Sequence, residues 1–352
     1  PIYDAKKRFV IVFNGEVYNY IEVRKELIQK GHTFHTDSDT EVVLNAYMEW
    51  GEECLHRFRG MWAFAIWDKQ EKTLFCSRDR FGIKPLYFYK DDNRLIFGSE
   101  IKQILDCGVD KSVNEETIYD YLVFHFIDHT ENTFFKNITK LQAGHKFTIK
   151  NGQFKVSRWY NLPDNNVMKD TRNLYSDFYD LLYESVNLHL RSDVEVGSCL
   201  SGGLDSTAIV CIMHEILHNE GKPEIQKTYT AAYDDPLIDE RPFVEEVIKQ
   251  TGSTGHYLFP DINGFMADID RMTYHQDEPY TGATVFAQWS VFKKIHETGI
   301  KVVLDGQGSD EMLLGYFSFF PFHLKRNMLN PVKFISEYLG GVNTSNLGFN
   351  KF

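Results

Sequence analysis

Val194-Glu195-Val196-Gly197-Ser198-Cys199-Leu200-Ser201-Gly202-Gly203-Leu204-Asp205-Ser206-Thr207 decides the fold of the second half of this 352-residue chain. Its apolar start predicts a short strand, its glycines a turn, and the apolar run at 208–213 a helix. Glycines let a ligand approach the backbone, and the first N–H groups of a helix point outward with the positive end of its dipole. The stretch therefore predicts a cradle for a phosphate chain, with Asp205 placed to hold Mg²⁺.

Two common nucleotide-binding motifs do not fit. No Gly-Lys-Ser/Thr follows the glycines, which excludes a Walker A loop. A second segment, Gly306-Gln307-Gly308-Ser309-Asp310-Glu311, has Glu311 where a dinucleotide fingerprint needs a third glycine. It follows a strand predicted at 301–305, and further strands are predicted at 227–232 and 256–259 between helices. This alternation predicts an α/β doubly wound parallel sheet, with ligands at the carboxyl ends of the strands.

The first half has a different pattern. Short apolar runs predict strands at 8–13, 61–68, 73–79, 86–89 and 95–98, and Asn151-Gly152 predicts a hairpin turn within 140–153. Helices are predicted at 20–30, 42–50, 114–126 and 174–191, the last with a packing role because its apolar residues recur at helical spacing. These elements predict layered α+β packing with antiparallel sheet. His125 and His129 lack a third ligand at a workable spacing, so we predict a structural turn there.

Composition limits the possible partners. A net charge of −12 argues against nucleic acid as the main partner, and no apolar run is long enough to span a membrane. Five scattered cysteines without a C-x-x-C pair favour free thiols in a reducing cytoplasm. The chain opens on Pro1 rather than Met, so we expect a fragment of a longer protein.

Four segments of the first half appear in an order that resembles a known family. They are 13–19 (FNGEVYN), 38–41 (SDTE), 78–87 (RDRFGIKPLY) and 99–102 (SEIK). Together they resemble the glutaminase domain of class II glutamine amidotransferases, specifically that of glutamine-dependent asparagine synthetase. The resemblance implies an Ntn-hydrolase-like αββα domain at 1–155, a linker at 156–172, and an ATP pyrophosphatase domain with a PP-loop at 173–352.

The resemblance implies that Asn14, Gly15, Glu16 and Asp39 hold glutamine. Carboxylates can pair with its α-ammonium group, and the Asn14 side chain with the Gly15 N–H can form an oxyanion hole. The nucleophile of the family is an N-terminal cysteine, which would precede Asn14 and is absent here, as is the arginine that grips the glutamine carboxylate. We therefore expect that residues 1–352 alone do not hydrolyse glutamine.

The loop at 201–207 resembles that of the N-type ATP pyrophosphatases, and 305–311 resembles a second motif of asparagine synthetases. Asp205 and Asp310 match the positions that bind magnesium and pyrophosphate. Asp305 stands in place of a serine of the family, and Gln307 in place of its proposed acid/base glutamate, a role that Gln307 cannot perform by proton transfer. The implied ATP-binding residues are Cys199, Ser201, Gly202, Gly203, Leu204, Asp205, Ser206, Thr207, Ala231, Asp305 and Gly306.

The resulting prediction is an ATP- and Mg²⁺-dependent ligase that converts aspartate to asparagine, using ammonia from glutamine and releasing AMP and pyrophosphate. The substitutions at Asp305 and Gln307 leave two alternatives open. One is a relative that acts on another carboxylate, such as a surface-polysaccharide or β-lactam precursor, and the other is a non-catalytic nucleotide-binding protein. A catalytic lysine of the family is expected beyond Phe352, and a homodimer is one possible oligomeric state.

Overall fold

The computed structural model describes residues 1–162, 172–221, 226–236, 238–313 and 315–344. The chain forms two compact units, one of Pro1–Asp193 with Pro260–Ser290 and the other of Val194–Phe259 with Val291–Phe352. Most of the predicted linker at 156–172 lies outside the described residues, so the predicted domain boundaries stay a prediction. Within the described ranges, no helix is both long and apolar enough to cross a membrane.

Two antiparallel sheets form the centre of the first unit. The larger has six strands, in spatial order β1 (Ile2–Tyr3), β2 (Phe9–Val17), β3 (Gly60–Asp68), β4 (Thr73–Arg78), β8 (His145–Lys150) and β9 (Gln153–Arg158). The smaller has three strands, in the order β6 (Leu95–Gly98), β5 (Tyr87–Lys90) and β7 (Thr139–Lys140). The helices of this unit are α1 (Tyr20–Gln29), α2 (Asp39–Trp50), α3 (Ile101–Leu105), α4 (Glu115–Phe124), α5 (Leu174–His189) and α8 (Ile262–Gln276).

Alternating side chains of β3 sort the first unit into layers. Phe64 and Ile66 face a core shared with α1 and α2, whereas Ala63 and Ala65 face a second core shared with the smaller sheet. On the far side of the smaller sheet, Ile104 of α3 packs against its outer face. The order is helix, sheet, sheet, helix, which confirms the predicted αββα class.

The second unit contains a parallel four-stranded sheet. Its spatial order is β12 (Thr254–Leu258), β11 (Lys227–Ala231), β10 (Val196–Cys199) and β13 (Val302–Leu304), with every neighbouring pair parallel. Its helices are α6 (Leu204–Asn219), α7 (Arg241–Thr251), α10 (Ser309–Leu313), α11 (Phe320–Arg326) and α12 (Pro331–Thr344), while α9 (Thr284–Glu297) begins in the first unit and ends in the second. The predicted doubly wound parallel sheet is confirmed.

Three local predictions can be compared with the structure. The strand predicted to end at Phe13 continues to Val17, because its pairing with β3 extends over nine residues. His125 ends α4 in a left-handed conformation and His129 lies 2.9 Å from Asp120, so the predicted structural turn is confirmed. The packing role predicted for α5 is wrong for several positions, because Phe178 and Leu181 are exposed.

The turn between β4 and β5 is organised by one buried carboxylate. Asp79 Oδ1 accepts hydrogen bonds from the backbone N–H groups of Phe81 (3.1 Å) and Ile83 (3.0 Å). Asp79 Oδ2 accepts two more, from Trp62 (3.1 Å) and Lys84 (2.9 Å), and the side chain is 1% exposed. Four orphan backbone donors are thus satisfied by one residue.

Asp79→Asn is expected to lower the stability of the first unit by about 2–4 kcal/mol, because the amide NH₂ would face two of these donors and leave them unsatisfied. The measurement is the urea midpoint followed by tryptophan fluorescence. Asp92→Asn, in the exposed turn between β5 and β6, is the matched control and should shift the midpoint little. Equal midpoints for the two variants would contradict the assignment.

Candidate functional sites

The first candidate site lies at the end of β2, where two carboxylates meet. Asp39, the first residue of α2, accepts a hydrogen bond from the Val17 backbone N–H at 2.9 Å, which brings it next to Glu16. Desolvation raises the pKa of both carboxyl groups, and the charge of Asp39 raises the pKa of Glu16 further. Burial raises the pKa of Tyr18 to about 12, and the negative charges of the same two carboxylates contribute to this increase. A carboxylate pair of this kind favours a cationic ligand.

Asn14, two residues before Glu16 on the same strand, lines a cavity. The cavity has a volume of about 230 Å³ and is lined by residues of β2, β3 and the β6–α3 connection. Asn14 Nδ2 donates a hydrogen bond to Ser99 Oγ at 3.0 Å, and Gly15 lies in the β2 strand opposite Trp62. The four residues predicted to bind glutamine are therefore close in the fold, since Asn14, Gly15 and Glu16 are consecutive and Asp39 is tied to Val17. Ser99 belongs to the motif at 99–102, but the sequence predicted no role for it in binding glutamine.

The second candidate site lies where the order of the parallel sheet reverses. The chain runs from β10 outward through β11 to β12 and then returns to β13 on the other side of β10. The loops that follow β10 and β13 consequently leave the same edge of the sheet as neighbours. These loops are the two segments that the sequence singled out, at 200–203 and 305–308.

The loop after β10 is held by its own hydroxyl groups. Ser206 Oγ lies 3.0 Å from Ser201 Oγ and accepts a hydrogen bond from the Ser201 N–H at 3.2 Å. Gly202 has φ +82°, and a Cβ there would lie 3.1 Å from the carbonyl oxygen of Glu240. Gly203 precedes the first turn of α6 without a side-chain cap, so the N–H groups of that turn stay available to a ligand.

The loop after β13 packs directly on the start of α6. A Cβ at Gly306 would lie 3.1 Å from the backbone nitrogen of Ser206 and 3.2 Å from Cβ of Asp205, so any other residue would require these two segments to move apart by a few tenths of an ångström. Asp310 lies in the first turn of α10, just beyond this loop, and Gln307 between them is exposed. Topology thus places Asp205 and Asp310 after neighbouring strands, at the first turns of two helices.

These residues suit a nucleotide phosphate chain and its metal ion. The glycines leave room at the backbone, and the helix start supplies N–H donors. Among the described residues, no cluster of three or more His, Cys, Asp or Glu side chains could hold a metal ion. Two carboxylates with phosphate oxygens are a usual set of Mg²⁺ ligands, so Asp205 and Asp310 stay the candidate ligands for a metal that arrives with the nucleotide.

The remaining predicted residues lie along the same edge. Ala231 ends β11, and Leu204 and Thr207 lie in the first turn of α6. Cys199 ends β10 beside Asp305, and burial together with the Asp305 carboxylate raises the pKa of the Cys199 thiol to about 12. Sequence reasoning did not identify Glu240, whose backbone lies against Gly202 and which no motif marks.

The raised pKa of Cys199 predicts selective labelling. The thiolate is the reactive form, and a shift from the usual value of 9.0 to about 12 lowers its fraction at pH 8 roughly a thousandfold. Iodoacetamide should therefore modify the exposed Cys107 and spare Cys199, as measured by peptide mass spectrometry. Labelling in urea serves as the control, because both thiols should then react. Equal labelling rates in the folded protein would contradict the prediction.

Both halves of the chain match known protein families. Residues 1–160 match the family model of the glutamine amidotransferase domain, and residues 177–343 match that of asparagine synthase. Asparagine synthetase [glutamine-hydrolyzing] 1 of Bacillus subtilis is 32% identical over 353 residues, which cover 97% of this chain and 55% of the relative. A putative asparagine synthetase [glutamine-hydrolyzing] 2 of Methanocaldococcus jannaschii is 32% identical over 336 residues, which cover 94% of this chain and 62% of the relative.

A putative asparagine synthetase of Mycobacterium tuberculosis is 33% identical over 361 residues, covering 96% of this chain and 54% of that protein. The chain thus spans between 54% and 62% of the length of these three relatives. Two family models occur in tandem, and the relatives match along almost the whole chain. The family predicted from the motifs is confirmed, and the chain belongs to the glutamine-hydrolysing asparagine synthetase family.

Proposed function

We propose that the protein is a ligase that makes asparagine from aspartate and ATP, with ammonia taken from glutamine. The observation that carries this proposal is the close packing of Gly306 on Asp205 and Ser206. It makes one site from two loops, each with a carboxylate near a helix start. A single phosphate loop would support nucleotide binding alone, whereas two carboxylates beside it suit release of pyrophosphate.

In the glutamine half, meaning residues 1–160 that match the glutamine amidotransferase domain, Glu16 and Asp39 would bind the α-ammonium group of glutamine. Asn14 Nδ2 and the Gly15 N–H would stabilise the oxyanion of the tetrahedral intermediate. The nucleophile would be the N-terminal cysteine of the family, which residues 1–352 do not include. Neither Cys54 nor Cys76 is suited to replace it, because burial raises the pKa of both thiols.

In the ATP half, meaning residues 177–343 that match asparagine synthase, the N–H groups at the start of α6 and the loop at 201–203 would bind the phosphates of ATP. Asp205 and Asp310 would hold Mg²⁺, which would neutralise charge on the leaving pyrophosphate. An oxygen of the aspartate β-carboxylate attacks the α-phosphorus, and pyrophosphate leaves. Ammonia then attacks the acyl carbon of the β-aspartyl-AMP, AMP leaves with the bridging oxygen, the nitrogen releases one proton to water, and asparagine forms.

The test uses the full-length protein that carries this chain. Amide-¹⁵N-glutamine, aspartate and Mg-ATP are supplied, and labelled asparagine and AMP are quantified by mass spectrometry. Equal amounts of both products are expected. AMP formed without asparagine would reject aspartate as the acceptor, and the absence of both products would reject the ligase assignment.

A further inference from the structure

The Asn14 carboxamide has a partner that is remote in sequence. Its Nδ2 donates to Ser99 Oγ at 3.0 Å across 85 positions of the chain. Asn14 is exposed, so packing alone does not fix its side-chain torsions. The hydrogen bond to Ser99 holds the amide group at one place, and the second N–H of Nδ2 stays available for a substrate oxygen.

Ser99 stands just before α3, and the start of this helix is held by two side chains. Gln103 Oε1 accepts hydrogen bonds from the N–H groups of Ser99 (3.1 Å) and Glu100 (3.3 Å). Asp277 Oδ2 accepts one from the Ile101 N–H at 2.8 Å. A helix of five residues is too short to form by itself, so its position depends on such contacts.

Asp277 belongs to the part of the chain that matches asparagine synthase, yet it lies in the first compact unit. Its other oxygen, Oδ1, lies 2.9 Å from Lys102 Nζ, and both side chains are largely buried, at 10% and 16% exposure. Asp277 has φ +63°, which is unfavourable for a non-glycine residue and requires compensating contacts. The following residues are held similarly: Glu278 accepts from the Phe134 N–H at 2.8 Å, and the Tyr280 carbonyl from the Tyr121 hydroxyl at 2.8 Å.

We infer that Ser99 is a positioning residue for Asn14, and that Asp277 holds the helix start that carries Ser99. The segment 277–280 of the asparagine synthase region thereby becomes a determinant of glutamine hydrolysis. This inference rests on the proposed function, since it assigns Asn14 to the oxyanion hole. It adds two residues to the four predicted to bind glutamine, and both act by positioning.

The test measures glutamine hydrolysis and ammonia-driven asparagine formation separately in the full-length protein. Ser99→Ala is expected to lower kcat for glutamine hydrolysis by about 10- to 100-fold, because a displaced oxyanion donor matters in the transition state. The KM for glutamine should change less than about threefold, and the rate with ammonia should stay at the unaltered level. Ser99→Thr keeps the hydroxyl and should restore most of kcat.

Asp277→Ala is expected to lower the same kcat by about tenfold, and Asp277→Asn by less, because the amide keeps an acceptor for the Ile101 N–H. Asp270→Ala, an exposed position on α8, is the matched control. Unchanged glutamine hydrolysis in Ser99→Ala would overturn the inference, as would an equal loss with ammonia, which would indicate general damage. If the unaltered protein does not hydrolyse glutamine, the proposed function fails as well.

Discussion

Asp205→Asn is expected to lower ATP-dependent asparagine formation by about a thousandfold while glutamine hydrolysis changes less than about twofold. Asp205 lies in the first turn of α6, where the loop after β13 packs against it at Gly306. Asparagine preserves the size of the side chain but removes the negative charge that Mg²⁺ requires. Metal stabilisation of a leaving pyrophosphate contributes several kcal/mol, which corresponds to about this factor in rate.

The measurement is the initial rate of AMP formation across a Mg²⁺ titration, with a higher half-saturating Mg²⁺ concentration expected in the variant. Glu215→Gln removes the same charge from an exposed position of α6, about 15 Å further along the helix, and should leave the rate unchanged. An Asp205→Asn rate within threefold of the unaltered protein would remove Asp205 from the proposed metal site.

The parallel sheet and its loops were predictable because their signals are local. The strand, the glycine turn and the helix around 201–203 lie within 14–20 residues, so a single short stretch of sequence predicts all three. Neighbouring parallel strands also place the loops that follow them at the same edge of the sheet. The sequence did not predict the packing of Gly306 on Asp205, because that contact joins segments about 100 positions apart. The order of the strands predicts that the two loops are neighbours, but only the three-dimensional structure shows that Gly306 packs directly against Asp205.

The glutamine half was harder to predict from local patterns. Asn14-Gly15 is a pair typical of turns, yet both residues continue β2, because tertiary pairing with β3 overrides local preference. The apolar spacing of α5 predicted an amphipathic helix but not what covers each position, and Leu181 is 66% exposed. Ser99 and Asp277 act through contacts that span 85 and 176 positions, for which a single sequence carries no signal.

Asn14→Ala is expected to lower kcat for glutamine hydrolysis by about 100- to 1,000-fold, the usual cost of removing one oxyanion donor. Asparagine formation from ammonia should persist, because ammonia bypasses the glutamine half. Asn93→Ala, in the exposed turn between β5 and β6, removes the same functional group and should leave both rates unchanged. Parallel losses of both activities in Asn14→Ala would instead indicate a structural role.

A double variant connects this prediction with the role of Ser99. If Ser99 acts only through Asn14, adding Ser99→Ala to Asn14→Ala should lower kcat little further, because the group that Ser99 positions is already gone. Independent roles would multiply the two single effects, giving a loss of at least about 1,000-fold. The cycle therefore measures whether the 3.0 Å hydrogen bond is the route by which Ser99 affects hydrolysis.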